Sequence, residues 1–134
     1  MADCYSNYLR DKINDHLHGG SAFTRPDPTY FAAMTVLPTA SGGGTEATAN
    51  FSRVSVTNDS SNWPASSGQT KTNANAIDFG TNGGSSVTIA GIAEYDAPTG
   101  GNLLTFAALT TPITVASAGP FQIPAGGAVY NWAA

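Results

Sequence analysis

Few residues of this chain have types that carry chemistry. His16 and His18 are the only histidines. Residues two apart on a helix point to different sides, so this pair does not readily grip one metal ion. No thiol or carboxylate cluster completes a metal site. Glu94 and Asp96 are the closest carboxylates that could form a glycosidase-type acid pair. They stand beside the turn EYDAPTGG, and are expected to solubilise a strand end, with Asp96 opening an Asx turn into Ala97-Pro98. Serines abound, but no Gly-x-Ser-x-Gly elbow is present and both histidines fall on one helix. Gly42-Gly43-Gly44 lacks the Lys-Ser/Thr of a phosphate loop and reads as a flexible hairpin loop. Cys4 is the only cysteine. It reads as a small residue near a helix start and excludes an internal disulfide. The expectation is a non-enzymatic chain with no catalytic residue, metal or cofactor.

What remains is the chemistry of burial. Trp63 lies in the polar loop NDSSNWPASSGQT. It reads either as a core plug or as an interface anchor or sugar platform. Tyr130 and Trp132 share one face of the last strand and give that end an aromatic edge. Tyr5, Leu9, Ile13 and Leu17 recur every four residues, flanked by Tyr8, which is the stripe of an amphipathic helix. These eight residues are the expected interface: Tyr5, Tyr8, Leu9, Ile13, Leu17, Trp63, Tyr130 and Trp132.

The elements behind them divide the sequence in two. Residues 4–18 read as a helix, with Asp3 as N-cap and Gly19-Gly20 as a left-handed stop. From Ser21 on, strands are expected at 29–37, 48–57, 74–79, 86–94, 102–109, 112–116, 119–123 and 127–132. Separators rich in Gly, Pro, Ser and Asn lie between them. No second helix is available for parallel crossovers. The expected fold is therefore all-β, an antiparallel, jelly-roll-like β-sandwich spanning residues 21–134, carrying an N-terminal amphipathic helix at residues 1–20. The stripe of that helix can be buried on its own sheet or on a neighbouring subunit, since the loop 19–28 permits both.

Composition agrees. Among 134 residues only 10% are charged, while Thr numbers 16, Ser 12, Asn 10 and Ala 21. Helical bundles need more Lys, Glu and Arg than this. The net charge of -4 and the scattered Arg10, Lys12, Arg25, Arg53 and Lys71 speak against nucleic-acid binding. Apolar runs such as LLTFAA are too short to span a bilayer. The first residues show no export signal, so the Asn50 and Asn58 glycosylation patterns are read as chance matches and synthesis is expected in a cytoplasm.

Several segments, in order, resemble short bacteriophage virion proteins of the tail-fibre-like type. They are Ser6-Asn7-Tyr8-Leu9, Asp15-His16-Leu17-His18-Gly19-Gly20, Gly42 to Glu46, Arg53 to Asn58, Asn62 to Ala65, Tyr95 to Leu104, Ala108 to Thr111 and Phe121 to Gly126. The chain differs at Phe79-Gly80, where related chains often carry Trp-Gly, and in its aromatic end. The resemblance implies a structural virion component. The first expectation is a capsid decoration (cement) protein that binds the major capsid protein or other virion proteins as a homo-oligomer, with a trimer favoured. The alternative is a tail-fibre or tail-adaptor component contributing to receptor binding.

Overall fold

The computed structural model describes residues 4–131. Helix α1 (Asn7–Leu17) precedes nine strands: β1 (Thr29–Val36), β2 (Thr45–Glu46), β3 (Val54–Val56), β4 (Thr70–Thr72), β5 (Ile77–Thr81), β6 (Val87–Tyr95), β7 (Leu103–Val115), β8 (Pro120–Ile123) and β9 (Val129–Asn131). The main sheet runs β2-β1-β6-β7, and β3 also pairs with β1. Strand β3 meets Thr29 to Phe31 while β2 meets Met34 and Val36, so the two lie one after the other along β1. Two ribbons, β4-β9 and β5-β8, complete the strands, and every pairing is antiparallel. This is the expected all-β sandwich with one helix.

Alternation along β1 explains why the sheet needs cover on both faces. Phe31 and Ala33 enter the larger core with Ile89, Ile92 and Val115 of the sheet and Ile77, Phe79, Phe121 and Ile123 of the β5-β8 ribbon. Ala32 and Met34 face the other way, into a smaller cluster with Ala93 and Leu103. Aromatic rings hold the larger core. Phe51 and Phe79 each lie against Phe121, with centroids 5.7 and 5.1 Å away. Each buried ring contributes about 1.5–3 kcal/mol relative to exposure.

Polar side chains fasten the loops to this core. Asn82 is buried. Its Nδ2 donates to the carbonyls of Ser85, Val115 and Ala116, and its Oδ1 accepts from Asn50 Nδ2 and Gly84 N. Arg53 pairs with Glu46, donates to the carbonyls of Ala97 and Gly100, and stacks 3.7 Å from the Tyr95 ring centroid. Asp96 does not start a turn into Ala97-Pro98 by itself. Its two oxygens accept from Asn102 N and Nδ2, clasping the β6-β7 loop across its base.

Several sequence expectations need correction. The helix begins at Asn7, with Ser6 as N-cap, whose hydroxyl accepts from Leu9 N at 3.1 Å. Asp3 lies outside the described residues. Cys4 is buried in an extended segment. There Tyr5 forms a bridge with Thr105, Ser6 N donates to Leu104 O and Phe106 N donates to Cys4 O. Edge pairing to β7 thus outcompetes the first helical turn, and Tyr5 leaves the helical stripe. The stop is as expected: Gly19 has φ +87° and Gly20 N donates to Asp15 O.

Among the strands, only Val54–Val56 of the expected 48–57 is extended, because Asn50 N and Phe51 N both turn back to Ala47 O. Strand β4, Thr-Lys-Thr, was unexpected, since it carries no apolar alternation. Segments 102–109 and 112–116 are one strand. The break between them survives as a bulge, in which residues 109–112 oppose only Ala90, between the Gly91-Ala108 and Ile89-Ile113 pairs. Pro112, which has no N–H, is tolerated there. The Gly42–Gly44 loop does join the β1-β2 hairpin, all three glycines having positive φ.

Candidate functional site

Three neighbouring strands place one side chain each on the same face at one end of the main sheet. Thr29 comes from β1, Glu94 from β6 and Thr105 from β7, where Glu94 opposes Phe31 on one side and Thr105 on the other. The N-terminal segment and α1 border the cleft with Tyr5 and Leu9. The 66–71 segment and β9 border it with Gln69, Lys71 and Tyr130. Its volume is about 350 Å³.

Glu94 was expected to be a solvated strand-end charge. It is instead set into the floor of this cleft. Its Oε2 accepts from Thr105 Oγ1 at 2.8 Å and from Tyr130 OH at 3.0 Å. Burial pushes the Glu94 carboxyl up from the usual carboxylate range, and the hydrogen bonds from Thr105 and Tyr130 oppose that shift. Burial likewise raises the Tyr130 phenol well above its ordinary value, reinforced by the Glu94 charge. Tyr5 is pushed up to about 12, chiefly by burial. Both phenols therefore stay protonated and act as donors. Thr29 is buried, and its Oγ1 has no hydrogen-bond partner among the described residues. It stands near enough to Glu94 to favour the charged carboxylate, yet the contact does not complete a hydrogen bond.

Four of the expected interface residues meet here: Tyr5, Leu9, Trp63 and Tyr130 line the same cleft. Trp63 is only 6% exposed. Its ring stacks on Phe31 at 6.0 Å and meets Tyr130 edge-on at 5.6 Å, so most of the indole serves as a core plug. Tyr130 also lies 6.3 Å from Tyr5. The last strand is docked on its own chain, through β4. Tyr8 lies apart, with the Lys12 amine 5.6 Å from its ring centroid. Ile13 is half-buried, Leu17 is 65% exposed, and no residue of α1 is buried. Trp132 lies outside the described residues. His16 holds the following loop, accepting from Phe23 N at 3.1 Å.

The arrangement can bind, orient and hydrogen-bond. Among the described residues Glu94 is the one carboxylate lining the cleft, whereas two flank the bond in glycoside hydrolysis. Sequence reasoning missed Thr29, Glu94 and Thr105 as a group because they are brought together by cross-strand register. One local cue existed: Glu94 follows Ile92 at the strand period of two, on the core-facing parity of β6.

No helix among the described residues is long and apolar enough to cross a membrane. No relative was found among curated proteins. The model of the family described as podophage GP4 fiber I protein gp80 matches residues 4–130. That match spans the helix, the main sheet and both ribbons. The chain therefore belongs to the podophage GP4 fiber I protein gp80 family and is a phage virion structural protein.

Proposed function

We propose that this protein is a tail-fibre component that joins the virion through α1 and contributes to host attachment. The observation that carries this reading is a helix whose apolar stripe its own chain covers only in part: no residue of α1 is buried, Leu9 and Ile13 are half-buried and Leu17 is 65% exposed. An apolar stripe in water is costly, and a second virion protein offers the surface to cover it. Membership of a fibre family supports the tail as its place. Trimerisation would multiply weak helix contacts into firm attachment. The role is structural and non-enzymatic. Decoration of the head, the first expectation from sequence, has no observation favouring it over the fibre. Imaging of particles carrying a labelled copy tests the assignment. A few to a few dozen copies at the tail are expected, and hundreds spread over the head would overturn it.

A further inference from the structure

We propose that the cleft floored by Glu94 and Thr29 binds a neutral saccharide. This goes beyond the role as a fibre component, and the two can fail separately. The floor holds one buried polar atom without a hydrogen-bond partner among the described residues, Thr29 Oγ1, beside a Glu94 carboxyl whose hydrogen bonds all go through Oε2. Buried polar groups left unpaired are costly, so such a pair asks for an occupant that can both donate and accept. A hydroxyl group does both.

Charge narrows the class. Arg25 and Lys71 line the cleft and disfavour a cation, while Glu94 in the floor disfavours an anion. The rings of Tyr5 and Tyr130 give the walls an apolar surface, which suits the C–H face of a sugar ring. The volume of about 350 Å³ sits at the low end of the roughly 300–1,000 Å³ usual for ligand sites. It fits one or two sugar units.

The test uses the purified full chain and saturation-transfer NMR. Glucose, galactose, N-acetylglucosamine and rhamnose are titrated singly, to a concentration on the order of 100 mM. Butylamine and inorganic phosphate serve as charged controls. At least one sugar is expected to saturate, with neither control competing. Tyr130→Phe and Glu94→Gln should each weaken it at least tenfold. Thr29→Val, which keeps the shape, should weaken it several-fold. The proposal is overturned if no sugar binds up to that limit, if butylamine or phosphate binds in preference, or if the variants remain folded and bind as the parent does. Particle incorporation of the same variants should be unchanged, which keeps this result separate from the fibre assignment.

Discussion

Replacing Ile13 and Leu17 by Asp together distinguishes a helix that serves a partner from one that belongs to the core. Leu17 is 65% exposed and Ile13 half-buried, so little packing is lost. The changes reduce helix propensity, put like charges four residues apart and place negative charge at the helix C-terminus. Together these cost about 1–2 kcal/mol. For a domain of this size that lowers the melting temperature by roughly 3–8 °C. Were the two residues core anchors, each would instead cost about 2–5 kcal/mol, enough to unfold a marginal domain. Circular dichroism of the purified variant reads the first quantity. Complementation of a phage lacking the wild-type gene reads the second, as copies per purified particle. The expected result is a folded sheet that is absent from particles. Collapse of the fold, or incorporation at the parental copy number, refutes the reasoning.

Asn82→Ala removes five hydrogen bonds, two within the β5-β6 loop and three that join it to Asn50 and the end of β7. A loss of about 2–4 kcal/mol is expected in urea unfolding. A Cβ at Gly91 would stand 2.3 Å from Ala107 O and 2.5 Å from Leu37 Cδ2. Gly91→Ala should therefore force β6 and β7 apart and cost about 2–3 kcal/mol in the same assay. Glu94 gives a pH signature. Its folded carboxyl is raised, so the folded state keeps the proton after the unfolded chain has lost it. Its contribution to stability is full below the ordinary carboxylate value and is lost as pH rises through the folded value. The melting difference between parent and Glu94→Gln should therefore shift against the parent as pH rises over that window. A difference independent of pH refutes the assignment.

The fibre assignment and the cleft share Leu9 of α1 but otherwise draw on different parts of the fold. Helix α1 is joined to the sheet by the Tyr5-Thr105 bridge and the Ser6 cap, and the segment returning from it through Phe23 and Pro26 supplies one border of the cleft. The opposite border, around Lys71 and Tyr130, belongs to the β4-β9 ribbon. The α1 stripe can thus face a neighbouring virion protein while Glu94 faces the cleft.

Local chemistry was written in the residues and could be read from them. The glycine stop at Gly19, the hairpin glycines 42–44, the alternation of Val54 with Val56 and the paucity of charge lead to a sandwich preceded by one helix. Each depends on backbone preferences within a few positions. Even the break at residues 109–112 was visible, as a disturbed period in a strand that turned out to be continuous. Pairing decided the rest. Tyr5 follows the helical spacing but obeys the edge of β7, where Cys4 and Ser6 complete backbone hydrogen bonds. Trp63 sits in a polar loop yet sinks between Phe31 and Tyr130. Strand β4 has no apolar signature and exists because β9 pairs with it. Glu94 looks like a surface charge until register sets it between Phe31 and Thr105 and beneath Tyr130. Such partners are distant along the chain, and a shift of one residue in register would turn every side chain to the opposite face.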